Sequence, residues 1–249
     1  MLNDIPEWPA KFGAPSAPCA GLKTATFSAF YARVLAPDRQ ILPSLVDSSM
    51  ALIEETVRET GIGPWMKAMR RFDDATHRHC MLVAGITAAF TGHLGLHVLD
   101  RHRVIKAALL HDVGKMHVPL AILNKPGPLN AAERAVMQLH PARGHAMLSD
   151  HGFSPVTLAV VRSHHELLDG SGYPDGLVEA EISDLVRLTT ICDIYAALIE
   201  RRAYKPPMGF GQAYAILTKM TGRLDPVVVR AFEPVARAFT DHALARLGP

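Results

Sequence analysis

The densest run of chemically capable residues is Leu109-Leu-His111-Asp112-Val-Gly-Lys115, a His-Asp pair at the end of an apolar stretch. Adjacent side chains on a helix diverge by about 100°. A histidine and an aspartate at a helix end can therefore converge on a cation placed beyond that end. A neutral imidazole suits Fe, Mn, Zn or Ni, and a carboxylate with two oxygens can bridge a metal pair. Lys115 follows His111 by one helical turn, so its ammonium falls near anything bound there. Taken alone, the run reads equally well as a helix C-terminus where His and Lys meet the negative end of the dipole.

Further residues of the same kind recur downstream. His140 opens His-Pro-Ala-Arg-Gly144, His164 and His165 open His-His-Glu-Leu-Leu-Asp169, and Asp193 interrupts the apolar run Thr190-Ile-Cys-Asp193-Ile-Tyr-Ala. An aspartate between such neighbours is costly to bury unless a cation or hydrogen bonds compensate it. Each has an ordinary explanation by itself: a helix-end histidine, a polar turn, a solvent-facing gap in an apolar stripe. Histidines and aspartates on several separate helices, each beside apolar packing, point together to metal chemistry.

The elements that must carry them read as helices. The chain of 249 residues is 49% hydrophobic and 20% charged, which fits a packed globular protein, and its net charge of +2 gives no broad basic face for duplex nucleic acid. Three scattered cysteines without CxxC spacing indicate a reducing compartment. The first residues lack the apolar run of a signal peptide. Residues 80–99 contain no Asp, Glu, Lys or Arg. They are long enough to span a bilayer, but His93, His97 and the glycines favour a buried helix followed by a turn. Apolar periodicity predicts helices over residues 38–59, 74–91, 101–110, 131–148, 155–165, 183–199, 210–219 and 226–245, separated by Gly and Pro breakers. Asn130, with Glu133 three residues on, and Ser183 are expected helix N-caps. The expected architecture is all-α, with residues 1–68 a small helical annex and residues 69–249 the chemical domain.

The order of motifs resembles the HD-GYP subgroup of HD phosphohydrolases. The resemblance rests on His111-Asp-x-Gly-Lys115, His140-Pro-x-x-Gly144, His164-His-Glu-x-x-Asp-Gly-Ser-Gly-Tyr-Pro174, a helical Asp193 and Arg202-x-Tyr-Lys205, flanked by Lys125-Pro-Gly-Pro-Leu129. It covers residues 73–205, and residues 164–174 are its most specific part. It implies a two-metal site held by His79, His111, Asp112, His140, His164, His165 and Asp193, with Asp112 bridging and with His164 and His165 each able to serve a different metal. His79 fits the family's Thr-x-x-His spacing better than its competitor His77. The resemblance also implies that Asp112 and Lys115 serve catalysis, that Arg202 and Lys205 hold a second phosphate, and that Tyr173 contacts the substrate or packs beside it. Two glycines around Ser171 are expected to allow positive φ in that loop.

Two departures stand out. The family's Asp three residues after the metal aspartate is Ala196 here, which bears on rate. The Glu that members with three metals carry four residues before the first histidine is Ala75, with Asp73 or Asp74 as potential substitutes. The resemblance implies a cytoplasmic enzyme that hydrolyses cyclic di-GMP to linear pGpG and onward to GMP with two divalent transition-metal ions, Fe first and Mn, Ni or Zn admitted by the same ligands. The alternatives are a metal-containing cyclic dinucleotide receptor without turnover and a phosphohydrolase of another nucleotide. A homodimer, and a protein partner at the annex or the GYP loop, are compatible with the sequence; a membrane is not expected.

Overall fold

The computed structural model describes residues 44–200 and 207–247 together with Phe30, Tyr31 and Val34. Arg202 and Lys205 lie outside the described residues, as does most of the annex before residue 44.

Eleven α-helices occur among the described residues: α1 Ser44–Thr60, α2 Gly63–Phe72, α3 Asp74–His93, α4 Val98–Leu110, α5 Leu120–Leu123, α6 Ala131–Met137, α7 His140–Leu148, α8 Pro155–Ser163, α9 Asp184–Ile199, α10 Phe210–Lys219 and α11 Pro226–Leu247. 3₁₀ turns at Val113–His117 and Glu179–Glu181 join some of them, and among the described residues only an isolated bridge between Asp169 and Val178 has β character.

Helix α3 is the hub. Cys80, Val83, Ala84, Ile86, Ala88 and Phe90 are wholly buried around most of its circumference, and α1, α2, α4, α9 and α11 pack against it. An all-round apolar helix is a buried one, which accounts for the uncharged stretch beginning at residue 80. No helix among the described residues is long and apolar enough to cross a membrane. Ile53 of α1 and Ile62, Trp65 and Met66 around α2 share one core with Met69 and Val83, and Phe30 and Val34 join it. Among the described residues, those before and after position 68 thus share one core. A buried staple closes the fold. The Tyr31 hydroxyl donates to Asp225, which Arg187 also reaches at 2.9 Å.

Local signals explain most boundaries. Asp73 caps α3 by accepting from the Thr76 amide at 2.7 Å. Asn130 and Glu133 form the expected capping box, at 2.9 and 2.8 Å. Gly61 and Gly95, with φ of +67° and +60°, end α1 and α3.

Four expectations need correction. The helix expected over residues 131–148 is two helices, because Pro141 sits in the first turn of α7 and has no amide to continue α6. Helix α8 ends at Ser163, which puts His164 at its C-cap and frees His165 from the helix. Ser183 occupies the N-cap of α9, but its side chain caps nothing. In the GYP loop Gly170 has positive φ, +76°, whereas Gly172 does not. Gly172 is required by space instead: a Cβ there would lie 2.5 Å from Glu166 Cα and 2.6 Å from the His165 carbonyl oxygen.

Candidate metal centre

The seven residues expected to bind metal converge. His79 comes from α3, His111 and Asp112 from the end of α4, His140 from the start of α7, His164 and His165 from the end of α8, and Asp193 from the middle of α9. All but His165 are buried. Asp193 is thus no solvent-facing gap in its helix.

The seven residues supply two compact groups of donor atoms, and His111 and Asp112 also lie together with Cys80 in a third. In one, ligand atoms of Asp112, His140, His164 and His165 all lie within 4.8 Å of one another; in the other, those of His79, His111 and Asp193 do. His164 and His165 thus have donor atoms in the same group. Asp112 stands between the groups. Its Oδ1 is 3.1 Å from His140 Nε2 and 3.9 Å from His164 Nε2. Its Oδ2 is 3.4 Å from His111 Nε2 and 3.9 Å from His79 Nε2. Asp193 Oδ1 meets His79 Nε2 at 2.8 Å and His111 Nε2 at 3.7 Å, and Asp193 Oδ2 lies 3.7 Å from His165 Nδ1.

The tautomers show what this geometry accommodates. Nδ1 of His111, His140 and His164 faces the carbonyl oxygens of Ala108, Met137 and Val161 at 2.8, 2.8 and 2.9 Å. Those carbonyls only accept, so each Nδ1 carries a proton and each ring turns its Nε2 inward. His140 Nε2 and His164 Nε2 then face each other at 3.2 Å, beside the Asp112 carboxylate. His111 Nε2 and Asp112 Oδ1 are buried and form no hydrogen bond. Converging acceptors of this kind fit cations.

Charge tells the same story. Burial alone would raise Asp112 and Asp193, yet Lys115 and His111 hold Asp112 well below the carboxylate range, and His79 and His111 do the same for Asp193. Burial would lower His79 and His111, but Asp193, Glu200 and Asp112 raise His79, and Asp112 and Cys80 raise His111. That half of the centre attracts positive charge. His164 is lowered by burial and by its histidine neighbours, and His165 is lowered by burial in the first place, so both present neutral imidazoles.

The surrounding backbone makes the convergence possible. A Cβ on Gly114 would lie 1.9 Å from the His140 carbonyl oxygen, so the glycine of the His-Asp motif lets α7 approach closely enough to deliver His140. Thr190 donates to the His164 carbonyl at 2.9 Å and pins the end of α8 to α9.

Lys115 Nζ donates to Asp112 Oδ2 at 2.6 Å. Tyr173 lies over His165 with ring centroids 4.7 Å apart, so it packs on the centre. Its phenol is raised, chiefly by burial and then by the two aspartates, and remains a protonated donor. His77 is left outside, whereas its competitor His79 lies in the cluster. Asp73 caps α3, and Asp74 is engaged by Arg70 and Arg78, so neither substitutes for the carboxylate absent at Ala75.

Sequence reading missed three residues. Glu166 accepts from three consecutive amides, Asp175, Gly176 and Leu177, at 2.6, 3.1 and 2.9 Å, and so anchors the loop after Tyr173. Its buried position directly after His165 was the available signal. Cys80 Sγ lies 3.8 Å from His111 Nδ1, with its thiol raised by burial. Glu200 Oε2 stands 3.4 Å from His79 Nδ1; it belongs to no motif, and only its helical spacing from Asp193 hinted at it.

Comparison with known proteins agrees with this geometry. Residues 43–228 match the family model described as HD domain. The chain is 37% identical over 180 residues to the protein named cyclic di-GMP phosphodiesterase PA4108 of Pseudomonas aeruginosa, covering 72% of this chain and 44% of that protein. It is 38% identical over 169 residues to 3'3'-cGAMP-specific phosphodiesterase 3 of Vibrio cholerae, covering 67% and 36% respectively. The chain thus spans less than half the length of these relatives. Among solved structures, the HD domain of the L. monocytogenes phosphodiesterase PgpH superposes with a TM-score of 0.56 at 15% identity, over 73% of this chain and 99% of that one, a likeness of fold.

Proposed function

The chain belongs to the HD domain family, and on that footing we propose that it is a metal-dependent phosphodiesterase that opens cyclic di-GMP to linear pGpG and carries it onward to GMP. The observation that carries this reading is the pair of buried donor groups joined through the two oxygens of Asp112. His79, His111 and Asp193 would hold one divalent ion, and His140, His164 and His165 the other. Seven nitrogen and oxygen donors exceed what one ion uses, and their mixture admits Fe first, then Mn, Ni or Zn. When bound, such an ion pair activates water and neutralises phosphodiester charge.

The chain's own residues do the rest. The reaction adds water across one P–O bond: the water oxygen joins phosphorus, and the 3′ oxygen leaves and takes up a proton. Lys115 is kept charged by Asp112 against the lowering effect of burial, so it holds a proton beside the centre and offsets charge on the phosphate. Tyr173 supplies an apolar wall and a phenolic donor. Arg202 and Lys205, outside the described residues, would hold the second phosphate, the guanidinium by its fork and the ammonium as a point charge. Cys80 and Cys192 are buried free thiols, which supports the cytoplasm as the compartment.

One observation favours a second reading, a receptor that binds the dinucleotide without turnover. Ala196 is wholly buried at the position the HD-GYP pattern gives to a carboxylate, so a group able to move a proton is absent there. Chromatographic product analysis with metal-loaded protein and cyclic di-GMP separates the two. Linear dinucleotide supports the enzyme, and unchanged ligand with full metal supports the receptor.

A further inference from the structure

An imidazole that binds a cation through one nitrogen keeps its orientation only if the other nitrogen is also held. Three rings of the centre solve this identically, each pointing Nδ1 at the carbonyl three residues earlier. They can do so because they stand at helix ends: His111 and His164 cap the C-termini of α4 and α8, and His140 opens α7. His79 cannot. It lies inside α3, where the carbonyl of Thr76 belongs to the helix's own hydrogen-bond ladder. Its Nδ1 is buried and makes no hydrogen bond, and the Glu200 carboxylate stands 3.4 Å from it.

Glu200 reaches this place from the C-cap of the helix that supplies Asp193. Positions 193 and 196 share one face of α9, and Glu200 follows four residues later, just past its end. Ala196, between them, contributes only a methyl group. Two carboxylates, one within α9 and one at its C-cap, thus flank the His79 ring, Asp193 at Nε2 and Glu200 at Nδ1. The Glu200 contact is somewhat longer than a formed hydrogen bond. The terminal carboxylate torsion of a glutamate is broad, so that torsion is free to vary.

We propose that Glu200 is a positioning residue of the metal centre: it accepts the Nδ1 proton of His79, fixes that tautomer, and keeps Nε2 turned toward the cation shared with His111 and Asp193. This rests on the two-ion reading above. A carboxylate behind a ligating histidine also makes the ring a stronger donor. In this chain the carboxylate absent from position 196 is replaced, one turn later, by one that acts through a ligand instead of on the substrate.

The test is Mn²⁺ binding to the purified full chain, with the stoichiometry and affinity of each site read by calorimetry. The wild type is expected to take up two ions. Glu200→Ala should weaken one of them by ~10–100-fold and leave the other unchanged. Glu200→Gln, whose amide oxygen still accepts from Nδ1, should stay close to wild type. In a His79→Ala background Glu200→Ala should cost nothing more. Circular dichroism checks the fold; should Glu200→Ala unfold, Glu200→Ser, equally short of Nδ1, carries the same expectation. Wild-type affinity at both sites in Glu200→Ala, or an equal loss with and without His79, overturns the proposal. A wild type that binds fewer than two ions refutes the two-ion reading itself.

Discussion

Asp112 Oδ1 lies 3.1 Å from His140 Nε2, while His140 Nδ1 faces the Met137 carbonyl at 2.8 Å. A cation that meets both inward-facing atoms would bind them together. Asp112→Ala removes the shared anion from both donor groups at once. Metal content is expected to fall from about two ions per chain to one or none, with the largest activity loss of any single ligand change. Elemental analysis of the reconstituted variant checks this. Two retained ions would show that Asp112 is not the bridge.

The Glu166 carboxylate satisfies three buried-loop amides at 2.6, 3.1 and 2.9 Å. Charge-assisted hydrogen bonds of this type contribute ~1.5–3 kcal/mol each, and stranding their donors adds a desolvation cost. Glu166→Ala should lower stability by ~3 kcal/mol in urea denaturation. It should also raise KM more than it lowers kcat, because the loop it anchors carries Tyr173 but no metal donor. An unchanged denaturation midpoint would remove Glu166 from this role.

Two glycines make a contrast that helix propensity alone would not produce. A Cβ on Gly114 would overlap the His140 carbonyl at 1.9 Å and the Gly144 amide at 2.5 Å, and neither backbone atom can yield cheaply. Gly114→Ala should cost ~3 kcal/mol and displace His140. Gly211 lies in the first turn of α10, and a Cβ added there would meet nothing within 4 Å, so Gly211→Ala should gain up to about 1 kcal/mol. Thermal melting of both variants side by side checks the pair; equal effects would refute the packing argument.

Away from the centre, Asp184 is pushed up to about 6, mainly by burial, with Asp225 adding repulsion and Arg187 opposing. Its Oδ1 makes no hydrogen bond. The folded value exceeds the ordinary 3.8, so the folded state holds this proton more tightly than the unfolded chain. The stabilisation is complete below about pH 4 and lost as pH rises through 6. Asp184→Asn should therefore stabilise the protein at pH 7.5 by ~1 kcal/mol, a figure reduced for residual solvent screening and for the lost helix-dipole attraction. Near pH 4 the gain should vanish. A gain independent of pH would refute the assignment.

The helices were legible because their apolar periodicity and capping residues act locally. Asp73, the Asn130–Glu133 box and the glycines after α1 and α3 each set a boundary through their own chemistry. The gathering of seven donors was legible from motif resemblance. Which donors share a group was not, because the chain direction at residue 164 depends on where α8 stops. The break between α6 and α7 was missed because Pro141 was read as part of a periodic stretch instead of the start of a new helix. Gly172 was misread as a conformational glycine, since the backbone of residues 165–167 that fills the space beside it comes into view only in three dimensions. Glu200 escaped because it lies outside every motif and acts only through His79.

The two donor groups joined by Asp112 are proposed to hydrolyse a cyclic dinucleotide. The most direct measurement is turnover of cyclic di-GMP by protein loaded anaerobically with Fe(II) or Mn(II), followed chromatographically, with bound metal determined on the same sample. About two ions per chain, steady formation of linear dinucleotide, and its loss in Asp112→Ala are expected. Intact cyclic di-GMP after prolonged incubation with protein carrying both ions would contradict this reading.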